Sequence, residues 1–179
     1  MKKNVPVHPR FDLRSTTEND WPELRRFRLE NAEAHPISYG ATLATTLTFD
    51  EEAWRIRARR GDQPDAASWV VVEADTGRWV GMMACQIGDD HGPEPVLTGV
   101  YVTEEFRGRE FGIADALLEA ILGWASARSS CLRLWVYEGS LPAQRFYSRH
   151  GFVTTGRTRP MQMDPPGGDL IEMARAVEP

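Results

Sequence analysis

Apolar positions recur at two periods along this chain, and the points where one gives way to the other outline its elements. Ile113, Leu117, Ile121 and Trp124 recur at helical spacing, as do Ala114, Leu118, Leu122 and Ala125. They predict an amphipathic helix, the clearest in the sequence. Upstream, Phe11 to Arg14 alternate as a short first strand. Thr17, Asn19 and Asp20 offer helix N-caps, and Pro22 suits a first helical turn. A helix is predicted from there through Leu24 and Phe27 to about Ala34, stopped by Pro36. Ser38 to Thr48 is small and polar and reads as a loop. Thr48-x-x-Glu51 reads as a capping box opening a second helix, with Trp54 and Ala58 on one side.

Gly61 to Ala67 reads as a loop. Trp69 to Val72 is a strand, Asp75-Thr76-Gly77 a turn, and Trp79 to Ile87 the returning strand of a hairpin. Gly88 to Pro95, polar and rich in Pro and Gly, is predicted as a loop. Val96 to Val102 is a strand with Gly99 as a bulge. Beyond the strong helix, Leu132 to Tyr137 is a strand and Pro142 to Arg149 a short helix closed by Gly151. Phe152 to Met163 and Leu170 to Val177 are closing strands. Seven strands and four helices in this mixed order predict one α/β domain over residues 1–179 with a central sheet, residues 1–10 forming a loose lead-in.

At 179 residues with 41% hydrophobic and 26% charged positions, the composition is that of an ordinary soluble domain. The formal net charge of −5 and the lack of any long basic tract argue against a nucleic-acid surface. No apolar run approaches the roughly 18 residues of a membrane span. The basic start, Met1-Lys2-Lys3, is followed by no apolar stretch, so no secretory signal is read. Cys85 and Cys131 lie far apart, with neither disulfide-framework nor metal-ligand spacing, which fits a reducing, cytoplasmic setting without metal. The six tryptophans read as core, with Trp135 and Tyr101 set apart near the middle of the sheet. Arg55, Arg57, Arg59 and Arg60 read as a solvated helix face.

Two segments carry chemistry. The first, Val100 to Ala114, joins a strand to the strongest helix through a turn containing Arg107, Gly108, Arg109, Glu110, Phe111 and Gly112. Free N–H groups at a helix start favour an anion. Glycine lets the backbone approach that anion, and arginine adds charged hydrogen bonds. Such a turn serves either as a plain connection with solvated arginines or as a seat for a phosphate or pyrophosphate. No Gly-Lys-Ser/Thr follows, so it is not a P-loop, and the glycine offsets do not match a dinucleotide fingerprint. The second segment, Ser140 to Phe152, reads as a short helix capped by Ser140 with Ala143, Phe146 and Tyr147 on one face. Phe146 reads as core, and the Tyr147 hydroxyl has a proton to donate if its face lines a cleft.

Together these segments resemble the GNAT superfamily of acyl-CoA-dependent N-acetyltransferases. Arg109-x-x-Gly112-x-Ala114 resembles its R/Q-x-x-G-x-G/A pyrophosphate loop, and Ser140 to Phe152 its N-x-x-A-x-x-F-Y-x-x-x-G-F segment. Arg28-Leu29-Glu30 and Trp54 resemble the substrate-side helices of bacterial members. The resemblance implies a mostly antiparallel sheet split between its fourth and fifth strands, flanked by about four helices. It also implies acetyl-CoA as co-substrate and a small-molecule or peptide amine as acceptor, with a homodimer among the assemblies it allows. Implied acyl-CoA contacts are Tyr101, Val102, Arg107, Gly108, Arg109, Phe111, Gly112, Ile113 and Ala114, with Ser140, Ala143, Phe146 and Tyr147. The Tyr101 or Val102 amide would hold the oxyanion, and Tyr147 would protonate the leaving thiolate.

The general base has three candidates, Glu30, Glu94 and Glu138, with His35, His91 and His150 behind them. Ribosomal-protein acetyltransferases of this superfamily place a glutamate where this chain has Trp135. The chain also departs from the family pattern at Glu110, where glycine is usual, at Ser140, where asparagine is usual, and in an extra Arg107-Gly108 before the loop. A non-catalytic acyl-CoA sensor of the same fold and a nucleotide-binding protein are the alternatives in other classes.

Overall fold

The computed structural model describes residues 8–163 and 168–178, so the first seven residues of the predicted lead-in lie outside the described residues. The strands are β1 (Phe11–Ser15), β2 (Ala66–Glu73), β3 (Trp79–Asp89), β4 (Gly92–Val102), β5 (Cys131–Tyr137), β6 (Val153–Pro160) and β7 (Asp169–Ala176). They form one sheet in the order β1-β2-β3-β4-β5-β7-β6. Every neighbouring pair is antiparallel except β4 and β5, which are parallel. The helices are α1 (Trp21–Ala34), α2 (Pro36–Tyr39), α3 (Leu43–Leu47), α4 (Glu51–Ala58), α5 (Ile113–Ser126) and α6 (Leu141–Arg149).

Both faces of the sheet are covered. On one, Leu117, Leu118 and Ile121 of α5 pack with Met83, Leu132 and Leu134, the apolar stripe predicted from spacing. On the other, Leu24 and Phe27 of α1 and Trp54 of α4 pack with Trp79, Met82 and Tyr101. Gly81 on β3 sits directly beneath the start of α5. A Cβ there would lie 2.5 Å from Ile113 Cγ2, so the missing side chain sets how closely that helix seats.

Four expectations change. Ser38 to Thr48 is not a loop, because α2 and α3 fall within or across it. Single-turn helices are too short to show a 3.6 period, and the signal that remained was a cap, Thr42 Oγ1 accepting from the Thr45 amide at 3.1 Å. The cap of α4 is Asp50, which accepts from the Ala53 amide at 2.9 Å, while the Thr48 hydroxyl turns back to the Thr45 carbonyl. Gly88 to Pro95 is mostly strand, for β3 runs to Asp89 and β4 starts at Gly92, leaving Asp90 and His91 as the turn. Pro93 and Pro95 are tolerated because β5 pairs with β4 only from Val96. The arginines at 55–60 are only in part a solvated face, carrying surface ion pairs and one stacked side chain. Arg55 and Arg59 pair with Glu18, Glu51 and Glu52, and Arg57 stacks 4.2 Å over Phe49.

The predicted split is present. β4 and β5 pair at Val96↔Arg133 and Leu97↔Leu134 and then separate.

Candidate active site

The split opens where β4 itself bends. Met82 pairs with Tyr101 and Ala84 with Thr98, so Met83 faces two residues, Gly99 and Val100. Gly99 carries φ +62, a conformation glycine adopts without penalty, and the extra residue makes a β-bulge. Arg28 of α1 donates to the Gly99 carbonyl at 3.1 Å and pins the bulge. Below it, alternation decides which amides face the gap. The Thr103 amide donates to the Val80 carbonyl on β3 at 2.9 Å, and the Val102 carbonyl, pointing the other way, accepts from Arg107 Nε at 2.8 Å. By the same alternation the Tyr101 amide faces β3, and those of Val100 and Val102 face the split. The Tyr101 side chain lies against α1, its hydroxyl donating to Glu30 at 3.2 Å.

A cavity of about 830 Å³ occupies the split. Gly99 and Val100 line it from β4, Trp135 from β5, and Ser140, Ala143 and Tyr147 from α6 and its lead-in. Pro142 sits in the first turn of α6, and Gly151, at φ +80, ends it. Ser140 does not cap this helix as predicted. Its side chain makes no capping bond and lies on the cavity wall. Tyr147 is 6% exposed, held between Phe146 and Phe152, and its hydroxyl has no hydrogen-bond partner among the described residues. Burial pushes its phenol far above the ordinary value, so it keeps its proton at neutral pH. Phe146 packs against the core and against His150 rather than lining the cavity.

The turn before α5 is built from Arg107 to Gly112, with Gly112 left-handed at φ +66 immediately before the helix. No main-chain amide from Gly108 to Asp115 donates to an acceptor among the described residues. Open space surrounds the position a Cβ would take at Gly112, whereas one at Gly108 would collide with the Glu110 carboxylate. A row of donors at a helix start that no described residue fills is suited to an anion, and Glu110 brings one negative charge to its edge.

The three predicted base candidates do not line the cavity. Glu30 is engaged by Tyr101 and lies 3.7 Å from Arg26. Glu94 pairs with Arg133 on a separate hollow. Glu138 accepts from the Asp169 amide, tying β5 to β7. Of the histidines, His91 lines the cavity, His35 lies beside the Tyr101 ring and His150 bonds to Asp115. The acidic residues on the cavity wall are Asp89 and Asp90, from the hairpin read as a loop. Asp89 accepts from Arg133 at 2.9 Å, from the His91 amide at 2.9 Å and from Trp135 Nε1 at 3.0 Å. Burial alone would raise its carboxyl, but the bonds from Trp135 and Arg133 outweigh it and hold the carboxyl below its ordinary value. Among the described residues, no cluster of His, Cys, Asp and Glu is arranged to hold a metal, and no helix is long and apolar enough to cross a membrane. Both cysteines are free.

The family model of the Acetyltransferase (GNAT) family matches residues 20–152. No curated protein matches by sequence. Among solved structures, a GNAT-family acetyltransferase from Streptococcus pneumoniae superposes with a TM-score of 0.76 at 17% identity, covering 93% of this chain and 99% of that one. The ribosomal-protein-alanine N-acetyltransferase of Brucella melitensis gives 0.72 at 23% identity, with 93% and 99% covered. The ribosomal L7/L12 α-N-protein acetyltransferase RimL in complex with coenzyme A gives 0.71 at 16%, with 97% and 98% covered. At such identities the likeness is one of fold.

Proposed function

Since the chain belongs to the GNAT family and is an acyl-CoA-dependent N-acetyltransferase, we propose that it acetylates a primary amine of a small molecule or peptide in the split between β4 and β5. The observation that carries this reading is the run of amides from Gly108 to Asp115, unbonded among the described residues, on the connection that follows the cavity-lining strand β4. Those amides, with Arg109, suit the diphosphate of acetyl-CoA, and the cavity has room for its acetyl end. Arg107 is turned toward the Val102 carbonyl and steadies the loop instead.

Acetyl-CoA supplies an activated thioester, whose carbonyl carbon the amine attacks as the coenzyme A thiolate leaves. The amides of Val100 and Val102 are the donors for the carbonyl oxygen as charge grows on it. Tyr147 hands its proton to the leaving sulfur. Its raised pKa and its lack of a hydrogen-bond partner among the described residues support that role, because the proton is neither lost to solvent nor shared with them. A free alkyl amine, with a pKa of about 10.4, arrives protonated and must lose a proton first. Asp89 is committed to Arg133, His91 and Trp135, so it acts as a fixed negative charge drawing the ammonium in. Asp90, exposed at the mouth and without a hydrogen bond of its side chain among the described residues, is the carboxylate left to take the proton through water.

A thiol-release assay with acetyl-CoA over a panel of amines tests this. Tyr147→Phe is expected to lower turnover about 100-fold while calorimetry finds the acetyl-CoA affinity unchanged. Unaltered turnover removes Tyr147 from the mechanism, and failure of the wild type to bind acetyl-CoA removes the whole reading.

A further inference from the structure

The part of the cavity wall formed by β6 carries a cation that the reaction itself does not use. Arg159, half-buried on β6, lines the cavity, and its guanidinium carbon lies 4.4 Å from the Trp135 ring centroid. No carboxylate among the described residues comes within ion-pair distance of its guanidinium, which makes no hydrogen bond to any of them. Other arginines around the sheet end are matched: Arg133 pairs with Asp89, Glu94 and Glu172, and Arg157 with Glu172. A stacked guanidinium keeps its face on the ring and its N–H edge open, the geometry that takes a carboxylate through two parallel hydrogen bonds.

The platform beneath it is fixed by a buried chain of charges. Glu172 and Arg133, with side chains 1% and 5% exposed, pair at 2.8 Å, Arg133 holds Asp89, and Asp89 holds the Trp135 indole N–H. His91 packs on the indole at 4.8 Å between ring centroids. The ring therefore cannot swing to follow Arg159, and the open edge of the guanidinium is presented at a set place in the cavity. Asp89 and Asp90 lie on the same wall. One end of an acceptor thus meets negative charge and another meets a cation with no ion-pair partner among the described residues, the complement of a zwitterion.

Resting on the acetyltransferase reading above, we propose that the acceptor is an amino acid or a peptide end carrying a free carboxylate, and that Arg159 binds this carboxylate. The test is a matched panel: the L-α-amino acids, β-alanine and 4-aminobutyrate, each assayed with acetyl-CoA against its own carboxamide. At least one acid is expected to exceed its carboxamide in kcat/KM by about ten-fold or more, as loss of a charge-assisted bidentate contact implies. In Arg159→Gln that ratio is expected to collapse toward one, through KM for the acid, with acetyl-CoA affinity retained. Arg159→Lys, which keeps the charge and loses the fork, is expected to fall between. If no acid exceeds its carboxamide, whether both react equally or neither reacts, the proposal is overturned, as it is if Arg159→Gln keeps the preference. Absence of acetyl-CoA binding would instead strike the reading on which it rests, so the two failures are told apart.

Discussion

At the scale of single residues, the loop before α5 offers the sharpest contrasts. Gly112 has open space where a Cβ would stand, but its φ of +66 penalises any side chain. Gly112→Ala is expected to cost about 1–2 kcal/mol of stability and to weaken acetyl-CoA binding at least several-fold, read by thermal melts and calorimetry. Glu110 acts in the opposite direction. Its carboxylate lies over Gly108 at the edge of the anion seat, and a like charge beside a diphosphate is unfavourable. Glu110→Gln is therefore expected to tighten acetyl-CoA binding, most visibly at low salt. Unchanged affinity at both salt concentrations would place the diphosphate away from residue 110. Part of this scale was legible in the sequence: Ser140, Ala143 and Tyr147, singled out by their segment, line the cavity. The wall facing them was not legible. Asp89, Asp90 and Arg159 belong to segments with no motif, and only the hairpin turn and the β6 edge bring them to the same space.

At the scale of elements, the seating of α5 links stability to the site. Ile113 opens the helix and rests on Gly81, so a methyl group there must push the helix start outward. Gly81→Ala is expected to lower the melting temperature and to weaken acetyl-CoA binding together, because the displaced turn carries the anion seat. A lowered melting temperature with unaltered affinity would uncouple the two. The long elements were readable because their apolar periods run over three or more turns or across a full ladder. The four- and five-residue helices after α1 were not, since one turn has no period to show. The hairpin at Asp90 was hidden for a different reason. Its glycines and prolines lie in strand ends, where pairing to β3 continues beyond the apolar stretch.

At the scale of the whole molecule, a buried charge network joins the two halves of the split sheet. Arg133 on β5 holds Asp89 at the end of β3 and Glu172 on β7, and Thr155 on β6 donates to Glu172 at 2.6 Å. Arg133→Leu removes the cation shared by Asp89, Glu94 and Glu172, leaving Glu172 only the more distant cation Arg157 among the described residues, and is expected to cost about 3–5 kcal/mol, a fall in melting temperature on the order of 10 °C. Adding Glu172→Leu is expected to recover part of the loss. For both Asp89 and Glu172, burial pushes the carboxyl up and the bonds to it pull it further down, so each ends below its ordinary value in the fold. Groups lowered in this way stabilise the fold above their unfolded values, about 4, and that contribution is lost as pH falls through the lowered values. Wild-type melting temperature should therefore drop as pH goes from about 5 toward 2, and the double variant should show a shallower drop. Parallel curves would mean the network contributes nothing to acid stability.

Every role proposed for the split depends on where the coenzyme diphosphate lies. A crystal structure of the protein with acetyl-CoA measures this directly. The diphosphate oxygens are predicted to sit within hydrogen-bond distance of amides between Gly108 and Asp115, with the thioester between Val100 and Tyr147. A diphosphate bound anywhere else, or crystals that exclude acetyl-CoA from the split between β4 and β5, would contradict it.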